Sequence, residues 1–378
     1  MSPAANAFSS RLPGLDLLRA IAIVWVMLFH SFVVGGLGPH FEWLSRYGWM
    51  GVDIFFVLSG YLIGTQVLRP LQRGEQLAWG AFYTRRAWRI FPVFAVVLAL
   101  YAWVPALREV PGLAPWWQFA TFTMNLLIDY GNTPAFSHAW SLCVEEHFYL
   151  LFPLLAWWLT RRPSLRTFAI VGLGVVLAGI ALRTGIWLHD SALDPPRNWF
   201  IEDIYFPTWT RLDGLLTGVS LAALRVYRPQ LWTRLQTRAN RCLLGGLLVT
   251  ALAFWLFRDR VGLLGNAIGW PLLSFGFGLL VLAGADRISA IGRWTVPGAG
   301  WIAAMSYSLY LSHKLALHAV QVGIVLPWQL HGLRAFACYA VGVLLLGGAL
   351  HYLIERPFLH WRDRRKAAPS VTVAPVAA

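Results

Sequence analysis

The chain has 378 residues, 58% of them apolar and only 13% charged, against roughly 45–50% apolar in an ordinary soluble domain. With a mean hydropathy of +0.57 and an aromatic share of 15%, no water-soluble fold of this size could carry the resulting surface, so a soluble enzyme is excluded and a membrane protein is read. The formal charge of +14 does not indicate nucleic acid, because the arginines stand between apolar runs and form no basic groove interleaved with aromatics.

A membrane span takes about 20 residues. Apolar runs bounded by charge, Pro and Gly place ten helices near residues 14–35, 50–68, 88–106, 141–160, 165–188, 204–224, 242–257, 264–284, 301–325 and 335–355. The expected fold is an all-α, polytopic membrane bundle. Residues 1–13 are expected to be a cytoplasmic segment, 14–357 the transmembrane domain, and 358–378 a basic tail that becomes Ala/Pro/Val-rich and disordered after Lys366. The first apolar run carries Asp16 and Arg19 and lacks a small-residue cleavage site, so it is expected to stay as a helix and not to leave as a signal peptide. Residues 116–128 are semi-apolar and too short to span, which suggests an interfacial or re-entrant segment. Cys143, Cys242 and Cys338 stand in or beside apolar runs without metal-ligand spacing, so they read as small core residues and no metal is expected. No internal repeat is visible, which weakens an inverted-repeat transporter.

Alternate connections differ sharply in basic residues. Of the 31 Lys and Arg, 22 fall on one side, 7 on the other, and Arg211 and Lys314 within helices. The richer side is cytoplasmic by the positive-inside rule, so both termini are expected inside.

Ionisable groups within spans are costly and usually face a cavity or a partner. Arg19 and His30 are eleven residues apart, almost three turns, and share one helix face with about 16 Å between them. Arg19 snorkelling and His30 bonding a neighbouring helix would be the bland alternative. Asp53, in GVDIFFVLSGYLIG, is either an N-cap or a buried acid near the outer face. Ser59 and Gly60 in the same run suit close helix packing. Arg86 and Arg89, three apart in FYTRRAWRIFP, can make two phosphate contacts from one face or simply anchor the cytoplasmic boundary. Glu145 and Glu146, followed by His147 in HAWSLCVEEHFYLLFP, either complement the helix dipole or face a polar cavity. Arg211 and Asp213 lie in the outer half of the sixth predicted helix, with a structural ion pair as the alternative for Arg211. His313 and Lys314 lie about 18 Å into the ninth. The depths form two tiers. His30, Asp53, Glu145, Glu146, Arg211, Asp213 and His313 are expected in the outer half, and Arg19, Arg86 and Arg89 in the inner half.

Taken together, RLPGLDLLRAIAIVWVMLFH, GVDIFFVLSGYLIG, RRAWRIFP, SLCVEEHFYL, SYSLYLSH and the terminal ERP resemble the acyltransferase-3 family of integral-membrane O-acyltransferases, over residues 11–357. The resemblance implies a bundle of about ten helices in a bacterial inner membrane. Such a bundle takes an acyl group from cytoplasmic acyl-CoA, with acetyl-CoA the expected donor, and transfers it to a hydroxyl of a saccharide or glycoconjugate on the far side. The family's Arg-x10-His pattern falls on Arg19 and His30, which makes His30 the expected catalytic histidine, and its Arg-x-x-Arg pattern falls on Arg86 and Arg89. Arg19, Arg86 and Arg89 are thereby assigned to the donor. The usual Ser-Leu-Ser-x-Glu-Glu-Gln-Phe-Tyr block carries Cys143 and His147 in its third and seventh places. Some relatives fuse a periplasmic hydrolase-like domain after the bundle, and a chain ending at Ala378 is expected to carry none.

O-acyl transfer needs a base for the acceptor hydroxyl, a group that orients that base, and donors for the developing oxyanion. His30 suits the first role, and Glu145, Glu146 or Asp53 the second. Arg211, Asp213, His313 and His147 are assigned to the acceptor. A proton-coupled transporter or exporter and a non-catalytic lipid- or glycan-binding subunit are the competing classes, and the cytoplasmic arginines favour the enzyme because a phosphate-rich donor gives them a purpose.

Overall fold

The computed structural model describes residues 12–36, 42–162, 164–193 and 197–367. Most of residues 1–13 and the end of the tail, where disorder was expected, lie outside them. Ten helices of at least 15 residues are present among the described residues: α1 (Pro13–Phe29), α2 (Gly51–Gln72), α3 (Trp79–Trp103), α4 (Trp140–Thr160), α5 (Leu165–Leu193), α6 (Asp213–Tyr227), α7 (Ala239–Leu256), α8 (Trp270–Gly284), α9 (Ala299–Val320) and α10 (Gly332–Leu350). No strand occurs among these residues, only an isolated bridge between Leu113 and Ala135.

Eight of the helical segments are long and apolar enough to cross a membrane. The two that fall short are α6, 15 residues long, and α9, whose 22 residues include Ser306, Ser308, Ser312, His313 and Lys314. Polar content thus concentrates where burial within protein replaces lipid. The same division separates centre from rim. In the apolar window of residues 42–72, which includes α2, 72% is buried, against 11% for Arg166–Leu193 on α5, so α2 is interior and α5 lies at the rim with most of its apolar surface uncovered.

The α2–α6 contact is close because glycines line it. A Cβ at Gly60 would overlap the Leu215 carbonyl, and one at Gly218 the Val57 carbonyl, so the helices meet backbone to backbone. This is the packing role expected for Gly60.

The helix expected over 204–224 is broken. A π-turn at Phe200–Tyr205 gives way to Pro207 and a 3₁₀ turn at Thr208–Thr210 before α6 begins at Asp213, because proline supplies no backbone donor. Buried guanidinium groups serve the freed carbonyls. Arg183 donates to Thr210 O at 2.7 Å and to Asn266 O at 2.8 Å, and also pairs with Asp213 at 2.8 Å. Arg211 pairs with Asp53 at 2.8 Å and lies against the Trp270 ring. Arg183, counted with an outer connection, therefore lies inside α5, fully buried. Asp53 sits in the first turn of α2 without capping it.

Residues 116–128 fold inward. A short helix, Trp116–Ala120, stacks Phe119 on Phe136, and buried Asn125 donates to Phe206 O and Thr208 Oγ1. The three cysteines are free thiols.

Candidate active site

α1 ends at Phe29 and tightens into a 3₁₀ turn, His30–Val34, closed by Gly35 at φ 83°. His30 therefore stands where the helix changes pitch. Its Nδ1 lies 2.9 Å from His313 Nε2 on α9. His313 Nδ1 in turn lies 2.7 Å from Tyr310 O and 3.2 Å from Leu309 O. A carbonyl only accepts, so His313 Nδ1 carries the hydrogen. Its neutral ring then has an acceptor Nε2, and His30 Nδ1 must donate to it. The His30 lone pair is left on Nε2.

A second imidazole closes the chamber. His138 Nε2 donates to Leu311 O at 3.2 Å, which leaves its buried Nδ1 as an acceptor with no hydrogen-bond partner among the described residues. The His138 ring centroid is 6.0 Å from that of His30 and 5.0 Å from that of His313. Tyr310 fixes this residue, since its hydroxyl donates to His138 O at 2.8 Å and receives the Ser141 hydroxyl at 2.6 Å. Next to His313, Lys314 Nζ makes a buried ion pair with Glu109 at 3.4 Å and reaches Ser137 Oγ at 3.4 Å.

These groups border a cavity of about 310 Å³ lined by His30, His138, Tyr310, Lys314, Trp140, Arg260 and further aromatic residues. A vestibule of about 710 Å³ adjoins it and shares Asn198, Ile201 and Arg260 with it. Burial within this aromatic wall pushes the Arg260 guanidinium below its ordinary range. At the vestibule, Arg197 is raised by hydrogen bonds to Asp203 and Glu202.

The expected donor arginines form a separate tier. Arg19 interacts electrostatically with Arg89 and Glu145. Arg86 lies 5.2 Å from the Tyr149 ring centroid and interacts with both Glu145 and Glu146. Glu145 accepts from Ser59 at 2.6 Å and from Tyr149 at 3.1 Å. α3 begins at Trp79, nine residues before its expected start, so Arg86 and Arg89 lie within the helix and not at its mouth.

Three expectations are corrected. None of Asp53, Glu145 and Glu146 bonds His30; Asp53 is taken by Arg211, and Glu145 and Glu146 belong with the arginines and not with the outer tier. The orienting partner is an imidazole, His313. Arg211 and Asp213, assigned to the acceptor, sit in buried ion pairs and do not line the cavity. His147 is also absent from the cavity wall, its Nδ1 being 2.7 Å from Thr208 Oγ1. His138, Glu109 and Arg260 escaped the sequence reading. An unexplained histidine directly before the AWSLCVEE run was the available signal for His138. Among the described residues no cluster of His, Cys, Asp or Glu is placed to hold a metal ion.

A family profile described as an acyltransferase domain matches residues 12–352. The chain is 28% identical over 323 residues to O-acetyltransferase OatA of Staphylococcus aureus (strain NCTC 8325 / PS 47), covering 80% of this chain and 50% of that protein. It is 28% identical over 334 residues to peptidoglycan O-acetyltransferase OatA of Listeria monocytogenes serovar 1/2a, covering 80% and 48%. The chain thus spans about half the length of the curated relatives it matches. No solved structure matches it. With a profile match that runs through α1, α2, α3, α4 and α9 and includes every residue of both tiers, the chain belongs to the acyltransferase-3 family.

Proposed function

We propose that the chain is an inner-membrane O-acyltransferase that moves an acyl group, with acetyl the first expectation, from cytoplasmic acyl-CoA to a saccharide hydroxyl on the outer side. The reading takes α6 and α9 as spans with the other eight, both termini inside, and the basic-residue asymmetry as the support for that orientation. The observation that carries it is the bond to His313 made by His30, which lines the cavity, with a tier of arginines on the same helix bundle.

In this reading Arg19, Arg86 and Arg89 hold the phosphates of the donor by charge-assisted hydrogen bonds. His30 Nε2 takes the proton of the acceptor hydroxyl as its oxygen attacks the thioester carbonyl. The new C–O bond forms and the C–S bond breaks. The proton then passes from His30 to the departing CoA thiolate, so the enzyme ends as it began. Lys314, ion-paired with Glu109, supplies the cationic donor for the oxyanion. The relatives' names make peptidoglycan the first acceptor to test.

Thioester consumption by the purified chain with a glycan acceptor tests the activity. His30→Ala is expected to lower transfer about 10²–10⁴-fold with labelled CoA still bound. Retention of more than about a tenth of the wild-type rate would remove His30 from the base role. A wild-type chain that consumes no thioester but moves solute in response to a proton gradient would support the transporter instead. Reporter fusions after Lys366 and near Asn132 are expected on opposite sides, and a same-side result would overturn the orientation.

A further inference from the structure

Three cations line the cavity and its vestibule, and they are not equivalent. Arg197 is paired with Glu202 at 3.2 Å and with Asp203 at 2.6 Å, and Lys314 with Glu109 at 3.4 Å. Among the described residues Arg260 has no acidic partner, and its buried Nε has no hydrogen bond. Among the described residues no Asp or Glu lines either space.

The surroundings of Arg260 are aromatic. Its guanidinium carbon lies 5.5 Å from the ring centroid of Phe29, 4.9 Å from Trp49, 5.4 Å from Phe200 and 4.6 Å from Tyr205. These faces favour a cation but supply no full countercharge, and the Tyr205 hydroxyl that hydrogen-bonds the guanidinium is neutral, so a largely desolvated cation is left without a compensating anion, which is costly. The same low dielectric strengthens its attraction for an incoming anion. Its place is also specific. Arg260 borders both the vestibule and the chamber of His30, so a molecule moving from one to the other passes it.

We propose that Arg260 is a specificity-determining residue for the acceptor, binding a carboxylate carried by the saccharide while its hydroxyl lies at His30. The planar fork of guanidinium matches a carboxylate with two parallel hydrogen bonds, and the aromatic faces around it provide the platform for the sugar ring. This inference rests on the acyl-transfer reading for the word acceptor, but its test does not.

Binding of cellobiose and of cellobiouronic acid, which differ by one carboxylate in place of a hydroxymethyl group, is measured on the purified full chain without any donor. The wild type is expected to bind the acid at least about ten-fold more tightly, and Arg260→Gln is expected to bring the two within about two-fold. Arg260→Lys keeps the charge without the fork and is expected to lie between. Equal affinities in the wild type, or an undiminished preference in Arg260→Gln, would overturn the assignment. If Arg260→Gln does not stay monodisperse, the test rests on Arg260→Lys, whose unchanged affinity for the acid would do the same. A wild type that shows the preference but transfers no acyl group would defeat the proposed activity and leave the subsite standing.

Discussion

His30 Nδ1 and His313 Nε2 lie 2.9 Å apart, and the backbone oxygen of Tyr310 on the far side of His313 decides the direction of that bond. In the proposed reaction, the role often taken by a carboxylate, fixing the tautomer of a catalytic imidazole, falls to a neutral ring that is itself fixed by its own helix. In that reaction His313 is expected to act as a positioning residue. His313→Leu removes the acceptor, frees the His30 tautomer and is expected to lower kcat on the order of 10²-fold with donor KM little changed. His313→Gln offers an amide oxygen to His30 Nδ1 and is expected to recover most of that loss. A His313→Leu chain with wild-type kcat and an unaltered pH–rate profile would dismiss the role.

Arg86 and Arg89 are expected to act on binding alone. Each charge-assisted contact to a donor phosphate contributes on the order of 1.5–3 kcal/mol, so replacing both by Gln should weaken acyl-CoA affinity at least a hundred-fold while the protein stays inserted. Equilibrium binding of labelled CoA decides it, and unchanged affinity would reduce the two to anchors.

Glu145 accepts from Ser59 and Tyr149 beside those arginines. If the arginines hold the donor as proposed, Glu145 is expected to act on donor binding, against the expectation from sequence that it orients the base. Glu145→Gln should raise the KM for acyl-CoA more than it lowers kcat. A loss confined to kcat would return Glu145 to the chemical step.

Glu109 and Lys314 form a pair whose side chains are only 2% and 5% exposed. Removing one partner strands the other charge, and Glu109→Gln is expected to cost about 3–5 kcal/mol of stability, read as a lowered unfolding transition in detergent. The double replacement Glu109→Leu with Lys314→Met should recover most of the stability but not the activity. A stable Glu109→Gln single variant would show the pair to be hydrated.

What was legible in the sequence was local. The apolar runs located the long helices because helical period needs no partner to be read, whereas the eleven-residue spacing of Arg19 and His30 assumed one continuous helix and α1 gives way to a 3₁₀ turn at His30. The misplacements share a physical origin. Counting residues from a helix start gives depth only if the start is known, and α3 begins at Trp79, which carries Arg86 and Arg89 deeper and brings them to Glu145. Glu109 and Lys314 are joined by the tertiary fold across most of the chain, a pairing with no period along the sequence. His138 lies in a short 3₁₀ turn before α4 and meets His30 only in the tertiary fold, where both rings also lie beside His313 of α9.

The Arg183–Asp213 and Arg211–Asp53 pairs tie α5, the broken segment before α6, and α2 into one electrically neutral unit. A lone change at any of the four positions leaves an odd charge in a dry interior, whereas a matched change of acid and base together does not. Natural drift at these sites should therefore proceed in couples. Across related sequences Asp53 should vary with Arg211, and Asp213 with Arg183, even where the molecules they act on differ, so that the four record a constraint of assembly inherited independently of function.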